Sequence, residues 1–329
     1  MPIEYRVMPG GRMSPAASDL QAIDPSTVWI DCVSPTDADL ERLDRLMGFE
    51  VPNRHDIAEI ELSSRLYRED DGSLVMVANL LPKTEYSVTH PRPAAFILRE
   101  NLLLTIRYSE FFSFERVSQR LPREAEPQNA MSIFCRLLEE AVADRADNLE
   151  MSMRLMEELT SRLFIKPYHP HDVDKTSQAP ELDVALRQIG SMGEAVSNIR
   201  ESITSLQRAA NYARTYVPES WWRDQRMVLD SIKSDLTALS DEAAFIMNKL
   251  SFNLDAVLGM INMDESKIIR LLSVVTLLLS PPTLIAGIYG MNFSLMPELN
   301  WKLGYVFALA LMATTAIVSI LYLKRKRWM

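Results

Sequence analysis

"LLSVVTLLLSPPTLIAGIYGMNF", residues 271–293, contains no charged side chain and lies near the end of a chain that is otherwise rich in charge. A second uncharged run, "LGYVFALALMATTAIVSILYL", covers 303–323 and is long enough to cross a bilayer, which takes roughly 20 residues. The first run reaches that length when the two isoleucines before Arg270 extend it and Arg270 itself reaches the interface. Two membrane-spanning helices are therefore predicted, at 268–288 and 303–323, with a pair of buried core helices as the alternative.

Basic residues flank both runs on the same side. "KRKRW" follows the second run at 324–328, and Lys267 precedes the first. The connecting segment 289–302 carries only Glu298 and, at its end, Lys302. Because basic flanks stay in the cytoplasm, we expect a multi-pass protein of a bacterial inner (plasma) membrane with both termini in the cytoplasm. The N-terminus, "MPIEYRVMPGGRM", lacks the apolar core of a signal peptide, so we expect the C-terminal runs to direct insertion.

Hydroxyl side chains in the first run are spaced by three, four and three residues, which places them on one helix face: Ser273, Thr276, Ser280 and Thr283. The same face continues upward to Gly287 and downward to Leu272 and Ile269. Small residues at a packed helix interface explain such a stripe, and so does a water-filled pore lined by several copies of the helix. Neither run has a charge at mid-depth, which argues against a proton-coupled pump.

A long helix is predicted before the first run. "VPESWWRD" at 217–224 is typical of a helix start, with a proline near the first turn and acids placed for the helix dipole. Two apolar heptad lines follow and indicate a bundle-forming helix: Leu229, Leu236, Ala243, Leu250 and Val257 form one, and Ile232, Leu239, Ile246, Asn253 and Met260 the other. An unbroken helix of about 70 residues would span roughly 100 Å. We expect Gly259 to bend this helix without ending it and Asn253 to fix its register.

Residues 1–125 mix short strands and helices, which predicts an α/β domain. "TVWIDCV" at 27–33 is predicted to be a strand. The segment after it is predicted to be a helix, with Ser34 or Thr36 as its N-cap and Gly48 at its end.

Two β-hairpins are predicted in the same domain. "SSRLYREDDGSLVMVANLL" turns at Asp70-Asp71-Gly72, and "AAFILRENLLLTIRY" turns at Glu100-Asn101. The acidic pair in the first turn fits turn chemistry, with a metal-binding role as the alternative.

Two further helices are predicted at 129–164 and 179–216, joined by a Pro-containing loop at 166–180. His169 and His171 in that loop invite a zinc interpretation. Without a cysteine or a third histidine nearby, an ordinary loop is the alternative.

The composition excludes several classes of function. The chain carries 35 Lys and Arg against 44 Asp and Glu, a formal net charge of −9, which argues against a nucleic-acid partner. This charge suits a protein that handles cations, and a solvated acidic surface explains it equally. Cys32 and Cys135 lie far apart and indicate a reduced, cytosolic soluble part. No Gly-rich phosphate loop, nucleophile elbow or HExxH motif occurs, so we expect neither an enzyme nor an organic cofactor.

The triplet Gly290-Met291-Asn292 closes the first run, "MPELNW" follows at 296–301, and the chain ends in "KRKRWM". Together with the sequence of 248–293, these features resemble the CorA family of magnesium channels. The resemblance implies a funnel-shaped homopentamer in the lipid bilayer, with five first spans around a pore. The triplet is Gly-Met-Asn rather than the Gly-Ile-Asn variant of the family's zinc-transporting branch. This favours Mg²⁺, with Co²⁺ and Ni²⁺ also carried.

The resemblance also implies roles for individual residues. Gly290, Met291 and Asn292 would form the ion-selecting mouth, and Thr283, Ser280, Thr276 and Gly287 would line the pore. Leu272 and Ile269 would form an apolar gate. Cytosolic Mg²⁺ bound by acidic residues near the stalk would close the channel, with these candidates: Asp230, Asp235, Asp241 and Glu242. The same carboxylates also fit a solvated helix face.

The predicted domain order is a cytosolic α/β domain (1–125), a cytosolic helical pair (126–217), a stalk helix (218–267), a first span (268–288), an external loop (289–302), a second span (303–323) and a basic tail (324–329). The predicted function is passive, Mg²⁺-gated influx of divalent cations, chiefly Mg²⁺. Two alternatives stay open: a zinc or broad divalent transporter of the same architecture, and a non-conducting membrane-anchored sensor or scaffold.

Overall fold

The structure is a computed structural model that describes residues 2–7, 13–17, 22–59, 65–83, 90–123, 129–164, 179–222, 225–291 and 301–326. Its strands are β1 (Ile3–Val7), β2 (Met13–Ala17), β3 (Thr27–Val33), β4 (Leu66–Arg68), β5 (Leu74–Leu80), β6 (Arg92–Leu98) and β7 (Leu103–Arg107). Its helices are α1 (Asp37–Met47), α2 (Arg54–Ala58), α3 (Phe112–Arg120), α4 (Ala130–Phe164), α5 (Ala179–Tyr216), α6 (Glu219–Trp222), α7 (Gln225–Tyr289) and α8 (Gly304–Arg325), with a 3-10 turn at Leu121–Arg123.

The strands form one mixed sheet in the order β2-β1-β3-β7-β6-β5-β4. Strand β3 pairs with β7 in parallel, with Trp29 opposite Leu103, and the other neighbours are antiparallel. Strands β4–β5 and β6–β7 are the two predicted hairpins. The hairpin β1–β2 was not predicted. Its second strand contains Pro15, which cannot donate a ladder hydrogen bond and suits the sheet edge where β2 lies.

Turn chemistry explains Asp71 in the first of these hairpins. Its carboxylate accepts a hydrogen bond of 2.8 Å from the backbone N–H of Ser73, and it also pairs with the guanidinium of Arg99. Gly72 supplies the positive φ of 87° that the turn requires.

Helix α1 begins at a capping box. Thr36 Oγ1 accepts the N–H of Asp39 at 3.3 Å, and the Asp39 carboxylate accepts the N–H of Thr36 at 3.1 Å. The backbone N–H and the hydroxyl of Thr36 both donate to the Asp39 carboxylate, and these two hydrogen bonds hold the pKa of Asp39 below its ordinary value. Of the two predicted caps, Thr36 is therefore the one used. The helix ends at Gly48 with φ of 82°, as predicted.

Side chains alternate across the sheet, so each central strand contributes to two cores. Ile30 and Cys32 of β3 pack on one face with Leu43 of α1 and Ile57 of α2. The opposite face is aromatic.

On that aromatic face, Phe96 of β6 lies 5.9 Å from Phe114 of α3 and 5.7 Å from Phe134 of α4, measured between ring centroids. Trp29 of β3 joins Phe114 at 6.2 Å. The sheet is thus covered by helices on both sides, which confirms the α/β class.

A buried ion pair links the two parallel strands. Arg107 Nη2 donates to Asp31 Oδ2 at 2.9 Å, and the two side chains are only 7% and 5% exposed. Thr105 donates its hydroxyl to the other Asp31 oxygen at 2.8 Å, and the Arg107 guanidinium lies 4.8 Å above the ring of Phe114. Burial alone would lower the pKa of Arg107, but Asp31 and Glu110 together raise it above its ordinary value.

The long predicted helices are present. Helices α4 and α5 match the two predicted at 129–164 and 179–216. Helix α7 has 65 residues, about 98 Å at 1.5 Å per residue. It begins at Gln225, after the short α6, and continues without interruption through Gly259 and through Pro281 and Pro282.

The two heptad lines of α7 are buried except for Met260. Polar contacts tie this helix to its neighbours: Gln207 of α5 donates to the Leu236 carbonyl at 3.1 Å. Asn253 is buried, and its amide donates to Thr160 Oγ1 of α4 at 3.1 Å. A polar side chain at a single position of an apolar seam can set register, and Asn253 has the contact that this role needs.

The described residues divide into two compact units. The first contains the sheet and, within α7, reaches Asn253. The second contains the start of α5 up to Leu186, the part of α7 from Leu254 onward, and α8. Within the second unit, α7 and α8 each contain a segment long and apolar enough to cross a membrane. The predicted fold class, an α/β domain followed by a long helix and two C-terminal apolar helices, is confirmed, while the predicted domain limits stay predictions.

We expect Asp31→Asn to lower the free energy of unfolding by about 3 kcal/mol, because it leaves the buried Arg107 guanidinium without its buried anion. Thermal unfolding of the detergent-solubilised chain measures this effect. Glu110→Gln is the matched control, since Glu110 also binds Arg107 but is 65% exposed and should contribute less than about 1 kcal/mol. Equal losses in the two variants would contradict the assignment.

Candidate functional site

An open groove of about 620 Å³ runs along one face of the apolar part of α7. Hydroxyl, glycine and aliphatic side chains line it together: Val275, Thr276, Leu279, Ser280, Thr283, Leu284, Gly287, Ile288 and Met291. The four predicted pore-lining residues are thus brought to one surface. The space beside Gly287 at that surface is open, because a Cβ added there would meet no atom within 4 Å.

The threonine hydroxyls in the groove use their protons within the helix. Thr276 Oγ1 donates to the Leu272 carbonyl at 2.8 Å, and Thr283 Oγ1 donates to the Leu279 carbonyl at 2.7 Å. Such bonds to the preceding turn are the usual resting state of a helical threonine. The oxygen lone pairs are then left as acceptors facing the groove.

The upper end of α7 closes at Gly290. Its N–H donates to the Ala286 carbonyl at 2.9 Å, and the N–H of Met291 donates to the Ile288 carbonyl at 3.2 Å. A Cβ at Gly290 would lie 3.1 Å from the Ala286 carbonyl oxygen, so the turn has little room for a larger residue. Met291 also lines the groove. Asn292, the third residue of the triplet, lies outside the described residues.

Below the groove the same helix face becomes apolar. Leu272 is 66% exposed and Ile269 is 64% exposed in the single chain, and neither belongs to the groove lining. Large exposed aliphatic side chains on a helix need lipid, a partner or another copy to cover them.

The second apolar helix starts with aromatic residues. The ring of Trp301 meets that of Phe307 edge-on, at 6.0 Å between centroids, and Tyr305 is exposed nearby in sequence. Aromatic rings of this kind are enriched at the membrane–water interface, which suits the end of a span.

A family model described as CorA-like Mg²⁺ transporter protein matches residues 24–325. The chain is 30% identical over 310 residues to the magnesium transport protein CorA of Wolinella succinogenes, with 92% of each chain covered. It is also 30% identical over 307 residues to the magnesium transport protein CorA of Escherichia coli strain K12, with the same coverage. The chain belongs to the CorA-like Mg²⁺ transporter family.

A solved structure supports the fold of this CorA family member. The complete structure of the CorA magnesium transporter from Methanocaldococcus jannaschii matches with a TM-score of 0.77 and 21% identity, covering 100% of this chain and 99% of that one. The likeness extends over the sheet, the long helix and both apolar helices. It therefore concerns the whole architecture rather than the membrane segments alone.

The acidic candidates of this CorA family member lie on α7, and the structure distinguishes between them. Asp230 pairs with Arg214 of α5, which donates from Nε to Asp230 Oδ1 at 2.8 Å. This hydrogen bond lowers the pKa of Asp230 and engages a carboxylate that would otherwise be available to a cation. Sequence reasoning missed this pair, because Arg214 belongs to a different helix.

The other three acidic candidates, Asp235, Asp241 and Glu242, are exposed. Asp235 lies near Glu139 of α4. The pKa of Glu139 is raised, mainly by burial and also by its acidic neighbours, Asp235 among them. The structure therefore brings Asp235 close to a second carboxylate.

Neither native cysteine belongs to the groove lining. Cys32 and Cys135 are buried and form no disulfide, and burial raises the pKa of the Cys135 thiol to about 12. His169 and His171 lie outside the described residues. Because the thiolate is the reactive form, neither native cysteine should react with an aqueous thiol reagent in the folded protein.

That low background allows a direct test of which face of α7 meets water. We expect Ser280→Cys, in the groove, to react with a charged thiol reagent at least about tenfold faster than Leu278→Cys, because only a hydrated thiol forms a thiolate. Leu278 lies on the opposite face of the same turn. Measured labelling rates in liposomes that are equal at the two positions would contradict an aqueous groove.

Proposed function

We propose that this CorA family member is a passive channel for Mg²⁺, assembled as a homopentamer with the α7 groove of each copy facing a central pore. The observation that carries the proposal is the groove itself. It places hydroxyl oxygens and Gly287 on one face of an otherwise apolar membrane helix. A face of this kind is costly against lipid and favourable against water. The relatives in Wolinella succinogenes and Escherichia coli are magnesium transport proteins, which supports Mg²⁺ as the cargo, with Co²⁺ and Ni²⁺ as further ions.

The groove chemistry suits an ion that keeps its water. Mg²⁺ gives up its hydration shell reluctantly and keeps several waters in most protein sites. The waters around a cation point their hydrogens outward, so the lining must accept hydrogen bonds. Thr276 and Thr283 donate their own protons to the helix backbone, which leaves acceptors toward the pore.

A ring of Asn292 carboxamides forms the mouth in this proposal. Helix α7 ends at Tyr289, and the turn at Gly290 and Met291 directly precedes Asn292 in the sequence. An amide oxygen accepts hydrogen bonds from the bound waters without removing them. A ring of carboxylates would bind the ion more strongly and slow its exit, whereas conduction needs binding that is favourable but weak.

The membrane potential supplies the driving force. A charge crossing 100 mV gains about 2.3 kcal/mol, so a divalent ion gains roughly 4.6 kcal/mol on entry. Influx through such a pore needs no coupled chemical step. Leu272 and Ile269 form an apolar neck below the groove, where the loss of water would stop conduction.

Cytosolic Mg²⁺ closes the channel in this proposal. The chain carries a net charge of −9, and copies brought together repel one another unless cations bind between them. The exposed carboxylates Asp235, Asp241 and Glu242 are better placed for that role than Asp230, which Arg214 already binds. An ion controls the channel in this way only if it binds the closed state more tightly than the open state.

Asn292→Ala should abolish Mg²⁺ uptake into liposomes containing the purified chain, because the mouth loses the acceptors that hold the hydrated ion. Asn300→Ala is the matched control, since it removes the other amide of the same connecting segment and should conduct normally. Size-exclusion chromatography checks that both variants keep the oligomeric state of the wild type. Wild-type uptake by Asn292→Ala would refute the proposed mouth.

Leu272→Asn should conduct even at high internal Mg²⁺, because a polar ring keeps the neck hydrated. Leu271→Asn adds the same amide about 100° around the helix from Leu272, away from the groove face, and should still close. Mg²⁺ flux is measured in liposomes loaded with low or high Mg²⁺. If Leu272→Asn closes as the wild type does, the gate lies elsewhere.

Added Mg²⁺ should slow proteolysis of the soluble part, and a chelator should accelerate it, over the same millimolar range in which Mg²⁺ closes the channel. The physical reason is that bound cations relieve repulsion between acidic subunits. Na⁺ at equal ionic strength is the control for simple screening. Proteolysis and flux that both ignore Mg²⁺ would exclude feedback through the soluble domain.

A further inference from the structure

A group of metal-binding side chains lies on the soluble part of the chain, at the short helix α2. His55, Asp56 and Glu59 each offer one ligand atom, and these atoms all lie within 4.8 Å of one another. His55 Nδ1 is 3.9 Å from the nearest Glu59 carboxylate oxygen. Among the residues that the structure describes, no other group of three or more such side chains has this spacing.

Local hydrogen bonds hold the backbone of this group in place. The Asn53 side-chain oxygen accepts the N–H of His55 at 2.7 Å and the N–H of Asp56 at 3.2 Å. In return, Asp56 Oδ2 accepts the N–H of Asn53 at 2.9 Å. Ile57, between the ligands, is completely buried in the core. One carboxylate oxygen of Asp56 is therefore fixed by the cap, and the other is free to bind.

The group is open to solvent on its outer side. The His55 side chain is 87% exposed and that of Glu59 is 41% exposed, so an ion can enter without a change of fold. The neighbouring cation, Arg54, lies over the ring of Tyr108, 5.5 Å from its centroid. The backbone carbonyl of Glu59 accepts a hydrogen bond from Arg65, which leaves the carboxylate uncommitted to that arginine.

The ligand types select among divalent ions. Mg²⁺ is bound in proteins through oxygen and keeps most of its waters. An imidazole nitrogen beside two carboxylates suits first-row transition metals, whose affinity for such a set rises toward Ni²⁺, Cu²⁺ and Zn²⁺. The histidine therefore separates this group from an acidic turn, which would offer Mg²⁺ and the transition metals the same oxygen ligands.

We propose that His55, Asp56 and Glu59 form a surface site for a first-row transition-metal dication, with water completing the coordination. The site lies in the α/β domain, outside the membrane-spanning helices, and goes beyond the proposed channel function. It would remain filled by a transition metal in the presence of the far more abundant Mg²⁺. A channel that also carries such metals would thereby have a separate cytosolic contact for them.

Nickel binding to the full chain in detergent tests the site. Equilibrium dialysis with nickel chloride in millimolar Mg²⁺ should show one bound equivalent that His55→Ala removes and that Glu59→Gln weakens at least about tenfold. Because binding is measured at equilibrium without flux, its outcome is independent of whether the chain conducts Mg²⁺. Circular dichroism verifies that each variant keeps the wild-type fold.

His90→Ala is the matched control. His90 Nε2 lies 3.6 Å from a Glu194 carboxylate oxygen and forms an exposed two-ligand pair, so its loss should leave the nickel equivalent unchanged. Unchanged binding by His55→Ala would overturn the proposal. So would complete displacement of nickel by Mg²⁺, which would indicate oxygen ligands alone, or a loss of the bound equivalent only in His169→Ala.

Discussion

A backbone that enters hydrocarbon must satisfy its polar groups within its own segment, and the upper part of α7 obeys this constraint with one exception. Pro281 and Pro282 have no N–H, so the carbonyls of Leu277 and Leu278 lose the partners that an uninterrupted ladder would give them. The helix nevertheless continues through both prolines. Such carbonyls are tolerated in a membrane where water or neighbouring protein reaches them. The prolines thus favour an α7 that is surrounded by other helices or by water over one that faces lipid alone.

The elements that were predicted correctly from the sequence are those whose signals lie within or next to the element itself. The Thr27–Val33 strand, the Thr36 cap and the turn at Gly72 each depend on signals only a few residues apart. The hydroxyl groove was predictable for the same reason, because helical periodicity alone places Thr276 and Thr283 on one face. Local sequence signals were therefore enough to predict the fold class and the stripe of hydroxyl groups along the groove.

Contacts between segments that are far apart in the sequence could not be predicted from local signals. The parallel pairing of β3 with β7 brings Asp31 to Arg107 across 76 positions of sequence, and neither residue looks unusual in its own strand. The pair between Arg214 and Asp230 is similar, because it depends on how α5 and α7 pack. Four acids on α7 were equivalent as candidates in the sequence, and only packing separates Asp230 from the rest. The proposed metal site at His55 was not predicted, because the Asn53 cap has the sequence of an ordinary helix start.

The threonine hydrogen bonds allow the proposed channel to favour cations without a fixed charge in the pore. A hydroxyl can donate one hydrogen bond and accept two, and a helical threonine that donates to its own backbone presents only acceptors outward. Each water around a cation turns two hydrogens outward, whereas each water around an anion turns outward its oxygen lone pairs and one remaining hydrogen. The groove therefore matches the shell of a cation better than that of an anion. A carboxylate at the same depth would achieve the same sign of selection, but it would bind a divalent ion strongly enough to slow its passage. Hydroxyl acceptors on an apolar helix thus favour cations over anions without binding a divalent ion tightly. A conducting pore requires weak binding of this kind.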